Sequence, residues 1–240
     1  MIKNQLLIKI FFLLFFIITA EISCNNKSYK EISEGEIIFD IEYLDSEREN
    51  PLISLLPRKM VTEFKDNSSY SLIEGFFGTF KIINIINYDL KKSYSLLQFM
   101  DKKYVYETDI NNIAFGYESM GKSKMNLIDI KKQIAGYDCK KAIIVFEEPV
   151  NEVVKDTIEI YYTQEIKIDN PNSNNPFKSI KGVLMQFTVN MTRINMRFTA
   201  QKVSSRKINQ ERFDIPPGFK KVSKVEMENI INEFNEVTEK

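Results

Sequence analysis

The sequence predicts an α+β fold that is mostly antiparallel β, with a single large curved sheet, a few covering helices and a C-terminal helix. Apolar and polar residues alternate with a period of two through most of the chain, which is typical of strands with one buried face. Long helical segments do not alternate with these strands, so a parallel βαβ arrangement is not expected. One capped amphipathic segment predicts the C-terminal helix.

The first predicted strand, residues 37–43, shows the alternation most clearly, because the residues on its second face are mainly polar. Its apolar face consists of Ile37, Phe39, Ile41 and Tyr43. Residues 51–56 predict a short helix that ends before Pro57, and residues 123–130 fit either a strand or a helix. Further strands are predicted at 60–65, 70–74, 79–86, 93–100, 103–108, 138–147, 156–166, 182–189 and 193–203.

The C-terminal helix is indicated by its capping residues. Ser223 and Glu226 form a Ser-x-x-Glu capping box, in which each side chain binds the backbone N–H of the other residue. Apolar residues at helical spacing accompany the box and predict one buried side of the helix. They are Val225, Met227, Ile230, Ile231 and Phe234.

The first 23 residues have the pattern of a signal peptide. Lys3 and Lys9 precede an apolar run at 10–20, whose 11 residues are too few to span a bilayer. Lysines on the N-terminal side of such a run predict that the rest of the chain leaves the cytoplasm. We therefore predict a signal peptide at 1–23, a polar tether at 24–35 and a single domain at 36–240.

Cys24 is the predicted lipid attachment site. Ser23 precedes it, as a small residue does at a bacterial lipoprotein cleavage site, although Glu21 stands where an aliphatic residue is usual. An acylated Cys24 would hold the domain in the cell envelope, on the periplasm-facing or surface side of the outer membrane. Cleavage after Ala20 would instead leave a secreted or periplasmic protein in which Cys24 could pair with Cys139. An uncleaved anchor is the third interpretation.

Composition excludes several function classes. The chain has 33 basic and 33 acidic residues, so it has no basic field of the kind that attracts nucleic acid. It has no histidine, so neither a Ser-His nor a Cys-His nucleophile can form, and the commonest zinc ligand is missing. No carboxylate pair stands out, and we expect no catalysis, no cofactor and no metal. Cys139, which precedes Lys140 and Lys141, is either a reactive thiol or, as we favour, a buried strand residue.

Residues 116–123 match the phosphate-binding pattern G-x-x-x-x-G-K-[ST] at every fixed position. A true P-loop follows a buried parallel strand and opens a helix, and neither is predicted here. The predicted location also lies in a compartment without ATP. A hairpin loop that uses Gly116 and Gly121 for positive φ is therefore favoured, and nucleotide binding is a remote alternative.

Residues 169–175 are rich in asparagine and could offer oxygen ligands to Ca²⁺. They lack the alternating acidic pattern, the central glycine and the closing glutamate of an EF-hand loop. An ordinary surface loop is the expectation.

The stretch at 134–142, which contains Gly136-Tyr137-Asp138-Cys139, resembles a recurring segment of an uncharacterised family of bacterial envelope lipoproteins. Later pieces follow in the same order, ending with a Pro-Pro-Gly-Phe segment at 216–219, and the resemblance spans roughly 36–234. That family is similar to the LolA-like and LppX-like lipoprotein carrier and sorting proteins. The resemblance implies an antiparallel half-barrel whose helices close a hydrophobic cavity, and a non-enzymatic binder of acyl chains.

Two predicted strands carry apolar stripes that fit this implication. Side chains at 183, 185, 187 and 189 share one strand face, and those at 194, 196 and 198 share another. A solid core explains these stripes as well as a ligand cavity does. The candidate cavity residues are Met185, Phe187, Met196 and Phe198.

Two functions follow as expectations. The first is a membrane-anchored protein that binds a hydrophobic ligand, either a lipid or an acyl chain, without catalysis. The alternative is an envelope interaction or assembly protein that has no ligand cavity.

Overall fold

The computed structural model describes residues 31–45, 56–75, 78–117, 120, 122–147, 157–191 and 194–238. These residues belong to one compact unit, 31–240. The predicted signal peptide, Cys24 and residues 51–55 of the predicted short helix lie outside the described residues. Ile32 already forms a bridge with Ile166, and the first strand begins at Glu34, so the folded unit reaches into the segment predicted as a tether.

In the part of the unit that the structure describes, a single twelve-stranded sheet forms the body, and every pairing of its strands but β12 with β6 is antiparallel. This confirms the mostly antiparallel single sheet. The strands are β1 (Glu34–Tyr43), β2 (Lys59–Lys65), β3 (Ser68–Gly75), β4 (Phe80–Asn87), β5 (Lys92–Phe99), β6 (Lys102–Asp109), β7 (Ser123–Ile134), β8 (Tyr137–Phe146), β9 (Thr157–Thr163), β10 (Val183–Met191), β11 (Ile194–Ser205) and β12 (Lys220–Lys221).

The sheet consists of two meanders that meet at its centre. Strands β1–β6 pair in sequence on one side, β7–β11 pair in sequence on the other, and β1 pairs with β11 between them. The chain therefore leaves β6 near one end of the sheet and enters β7 at the opposite end. Residues 110–122 make this passage, and we call them the crossover segment.

Local sequence accounts for the tight turns of the meanders. Asp66 and Asn67 join β2 to β3 with φ values of 48° and 71°, a conformation that Asn and Asp tolerate better than other side chains. Ala135 and Gly136 join β7 to β8 with φ values of 49° and 87°. Positive φ at both central residues is the requirement of the two-residue hairpin turn that matches strand twist.

The main core lies on one face of the sheet, which we call the inner face. The register places the side chains of Ile37 and Phe39 on this face, together with Phe198 of β11 and Phe187 of β10. All four are buried in one continuous apolar cluster. The cluster extends across β8 and β9 and includes Phe177 from the β9–β10 connection. Most of the apolar burial in the unit is thus concentrated beside the sheet centre.

The opposite, outer face of β3–β6 is covered by residues 206–219, which follow β11. We call this stretch the wrapping segment. It contains a 3₁₀ helix, Gln210–Phe213. The Phe213 side chain is fully buried against a second apolar cluster that includes Tyr70, Ile85 and Leu96. The wrapping segment therefore serves as the outer cover that this half of the sheet would otherwise lack.

Ion pairs fix the wrapping segment in place. Glu63 of β2 is buried, and its two carboxylate oxygens accept hydrogen bonds from Arg206 and Arg212. Glu34 Oε1 accepts the Ile208 backbone N–H at 2.5 Å, and this bond is the main reason that the pKa of Glu34 lies below its usual value. A buried carboxylate is tolerated only when it is paired in this way.

The C-terminal helix α1 (Lys224–Thr238) confirms the predicted capping box. Glu226 Oε2 accepts the Ser223 N–H at 2.7 Å, and Ser223 Oγ accepts the Glu226 N–H at 3.2 Å. Met227 is buried in a cluster with Leu97, which the register places on the inner face. Val225 is 63% exposed, so its predicted place on the buried side was wrong. The chain therefore passes from the outer face, around β6, to the inner face.

The wrapping segment generates a stability prediction. Phe213→Ala would leave a cavity in a fully buried site, so we expect the free energy of unfolding to fall by about 3–5 kcal/mol. Ile215→Ala is the matched control, because Ile215 is 38% exposed and its loss should cost no more than about 0.5 kcal/mol. Urea unfolding curves of both variants measure the difference. A loss below about 1 kcal/mol for Phe213→Ala would contradict this packing.

Candidate functional site

A partly open cavity of about 150 Å³ lies against the inner face. Strands β1–β4 and β10–β11 supply the sheet side of its lining, residues 168–177 cover it, and Tyr117 of the crossover segment completes it. Its most buried apolar lining residues are Ile37, Phe39, Phe177 and Phe198. The cavity thus lies where the two meanders and the two longest connections meet.

Two of the four predicted cavity residues line this space. The rings of Phe187 and Phe198 are stacked, with centroids 5.0 Å apart, and Phe39 meets Phe187 edge to face at 5.9 Å. Met185 and Met196 are buried in the same apolar cluster but are not among the lining residues. The structure therefore places the phenylalanines at the cavity and the methionines in the packed core.

The asparagine-rich residues 169–175 do not form the ordinary surface loop that was expected. Asn172 and Asn174 are 3% and 4% exposed, respectively. Asn172 Nδ2 donates to the carbonyl oxygens of Ile180 and Gly182, at 2.7 and 3.0 Å. The surface-loop prediction was wrong because these amides bind protein groups instead of water. Among the described residues, no cluster of acidic, cysteine or histidine side chains could hold a metal ion.

Asn174 connects three parts of the chain. Its Nδ2 donates to Asn84 Oδ1 on β4 at 3.2 Å and to Ser93 Oγ on β5 at 2.9 Å. Its backbone oxygen accepts the N–H of Ala114, in the crossover segment, at 2.7 Å. Hydrogen bonds of buried amides are costly to leave unmade. Asn174 therefore holds both the cover of the cavity and the crossover segment against β4 and β5.

Neutral polar side chains occupy part of the sheet side of the cavity. Thr62, Ser71 and Asn84 are register partners on β2, β3 and β4, and Ser69 lies two residues from Ser71 on the same face. Thr62 Oγ1 and Ser71 Oγ are 2.9 Å apart and share a hydrogen bond. We call Thr62, Ser69, Ser71 and Asn84 the polar strip. The sequence reasoning missed it, although small polar residues at alternating positions of β3 could have indicated it.

The P-loop match does not have the structural context that phosphate binding requires. Ser123 is the first residue of β7, not of a helix, and the Lys122 backbone oxygen accepts the N–H of Glu147 at 3.1 Å. The favoured hairpin-loop interpretation was also wrong, since the motif belongs to the crossover between opposite ends of the sheet. Gly116 has the expected positive φ of 95°, and Gly121 lies outside the described residues.

Cys139 is a buried strand residue, as favoured from the sequence. Its side chain is fully buried, and Sγ donates to the Tyr137 oxygen at 3.4 Å. Burial raises the pKa of the thiol to about 12. A thiol that stays protonated and covered has little reactivity, so the structure does not support the reactive alternative.

A larger groove of about 430 Å³ lies on the outer side of β9–β11. Its lining is mainly polar and includes Lys132, Glu159 and Arg197. Glu159 pairs with Lys141 at 2.5 Å, and Arg197 pairs with Glu42 at 3.0 Å. Because these charges already have partners and are solvated, the inner cavity is the better candidate site.

The comparisons with known proteins concern the fold. The sequence matches no protein-family model and no curated protein. Fourteen chains of solved structures resemble the fold. One is PNGF-II, solved in space group C2, with a TM-score of 0.51 and 15% identity over 83% of this chain and 33% of that chain. This chain therefore spans about a third of PNGF-II, and the likeness shows a shared arrangement of the sheet alone. No helix in the described part of the chain is long and apolar enough to cross a bilayer.

Proposed function

We propose that this chain is an exported, non-catalytic protein of the cell envelope that binds a hydrophobic ligand, either a lipid or an acyl chain, and is anchored through a lipid on Cys24. The observation that carries the ligand proposal is the inner cavity, whose lining includes Phe39, Phe187 and Phe198. Concave sites lined by apolar and aromatic side chains with a few polar groups are typical ligand sites. The N-terminal sequence supports export and anchoring.

Cavity size limits what can enter. A dry cavity of about 150 Å³ holds a group the size of benzene, whereas pockets for drug-sized ligands span roughly 300–1,000 Å³. The inner cavity therefore suits the end of an acyl chain rather than a whole lipid. Because the cavity is partly open, the rest of the ligand would extend toward solvent.

We extend the proposal to the fold itself, as a LolA-like half-barrel. In the LolA-like half-barrel that the sequence resembles, helices close the concave face. Here residues 168–177 and Tyr117 take that position over the cavity. In this proposal the cover of the ligand is the β9–β10 connection, which the side-chain hydrogen bonds of Asn174 hold in place.

A cavity-filling substitution tests ligand binding. Ser71→Leu places an apolar side chain in the cavity, so we expect lipid co-purification to disappear and the affinity for the fluorescent probe N-phenyl-1-naphthylamine to fall at least tenfold. Ser205→Leu adds the same bulk at an exposed position at the end of β11 and should leave both unchanged. Native mass spectrometry and fluorescence titration are the measurements. A parent protein that carries no lipid and binds no probe would contradict the proposal.

The anchor has its own test. Globomycin, which blocks lipoprotein signal peptidase, should cause an acylated precursor to accumulate, and Cys24→Ser should abolish incorporation of labelled palmitate. Cys139→Ser is the matched control, because that thiol is buried and should not be acylated. Normal processing in globomycin together with unlabelled parent protein would show that signal peptidase cleaves elsewhere and that the chain is not lipid-anchored.

One observation favours the alternative of an envelope interaction protein. Strand β7 lies at the end of the sheet, and its Leu127 and Ile130 side chains are 64% and 48% exposed. An open strand edge can accept a strand from another protein. Absence of ligand binding in the parent chain, combined with a reproducible cross-link from β7 to a partner, would favour this function over the first.

A further inference from the structure

The described lining of the inner cavity carries no charged side chain. It comprises 23 described residues, in a chain of which 28% of the residues are charged. Nine of the 23 are polar but neutral, and four of these form the polar strip. Such a lining offers hydrogen bonds without offering a counter-ion to a charged ligand.

The polar strip has unused hydrogen-bonding capacity. The Thr62–Ser71 bond uses one hydroxyl proton, so the second remains for another acceptor. Asn84 uses its side-chain oxygen to accept from Asn174, and its amide nitrogen has no acceptor among the described residues. The Ser69 hydroxyl likewise has no described partner. All four side chains are half-buried, so a ligand in the cavity can reach them.

The rim of the cavity is unfavourable to anions. Asn67, a lining residue, accepts the Asp169 N–H at 2.7 Å, and its Nδ2 lies 3.5 Å from Asp169 Oδ2. This exposed carboxylate therefore contacts the lining at Asn67. Among the lining residues described, the titratable side chain is Tyr117; burial raises the pKa of its hydroxyl to about 12, so Tyr117 is neutral at physiological pH.

We infer that the ligand is an uncharged amphiphile with a short acyl chain, such as a short-chain acylglycerol. It inserts this chain among the phenylalanines, places an ester, amide or hydroxyl group on the polar strip and extends the rest of its head group toward solvent. The inference rests on the proposed function. Burying a carboxylate or phosphate here without a cation would cost far more than burying a neutral group that forms hydrogen bonds. A pure hydrocarbon would offer no hydrogen bond to the groups of the polar strip that still lack a partner, which are one hydroxyl proton of the Thr62–Ser71 pair, the Asn84 amide nitrogen and the Ser69 hydroxyl.

Three probes with the same eight-carbon chain test the head-group preference: 1-octanoylglycerol, octanoate and octylammonium. Isothermal titration of the full chain at pH 7.5, below micelle formation, should show at least tenfold tighter binding of 1-octanoylglycerol than of either ion. Equal or tighter binding of either ion would overturn the inference but leave the proposed function standing. Binding of none of the three would overturn both.

Variants of the polar strip test whether the head-group preference comes from these residues. The double variant Thr62→Val, Ser71→Ala removes two hydroxyls with little change in shape, so 1-octanoylglycerol should bind at least fivefold more weakly. Ser205→Ala, at an exposed position, is the control and should not change binding. Asn84→Asp keeps the oxygen that accepts from Asn174 and adds a charge, so it should strengthen octylammonium binding at least tenfold. Unchanged binding in both strip variants would overturn the inference.

Discussion

The arrangement of the molecule depends on the buried carboxamide of Asn174. The two meanders pair along β1 and β11, but their connections must still be held against the inner face of the sheet. Asn174 bonds to Asn84 and Ser93 through its side chain and to Ala114 through its backbone. One residue therefore fastens the β9–β10 connection to both the first meander and the crossover segment. The space left beneath this attachment is the cavity.

The covers of the sheet are built mainly from extended connections rather than from helices. The wrapping segment buries Phe213 on the outer face, and the Glu63 ion pairs hold it there. The described side chains of helix α1 pack on the inner face near β4–β6. In extended connections the backbone N–H and C=O groups lack the regular partners of a helix, so side chains must supply hydrogen bonds to them. This explains the buried asparagines, such as Asn172, which donates to two backbone oxygens. They also leave a gap that a helix packed on the sheet would fill.

Strand positions were predictable because the chain alternates strongly wherever one strand face is buried. Strand β7 was ambiguous because it lies at a sheet end, where exposed Leu127 and Ile130 weaken the alternation. Met185 was misplaced at the cavity because the register shifts between Leu184 and Gln186. That irregularity brings Leu184 and Phe187 to the same cavity, although period-two alternation puts them on opposite faces.

The polar features of the site could not be predicted because they depend on long-range contacts. Asn84 and Asn174 are 90 residues apart in sequence, and nothing local distinguishes Asn174 from the exposed Asn170. Neutral polar residues in loops are usually solvated, so the expectation of a surface loop followed from local chemistry. Only the topology, which carries the crossover segment over the inner face, makes burial of these amides necessary.

Whether the Asn174 side chain holds the crossover segment can be measured by hydrogen exchange of the Ala114 amide in Asn174→Ala, with Asn126→Ala, at an exposed position, as the control. The substitution keeps the Asn174 backbone oxygen, which accepts the Ala114 N–H, but removes the side-chain hydrogen bonds to Asn84 and Ser93 that hold residue 174 in place. Leaving their buried partners unpaired costs about 1–3 kcal/mol. Local opening should then become at least fivefold more frequent. We expect faster exchange at Ala114 in Asn174→Ala and parent-like exchange in the control. Unchanged protection of Ala114 in Asn174→Ala would contradict it.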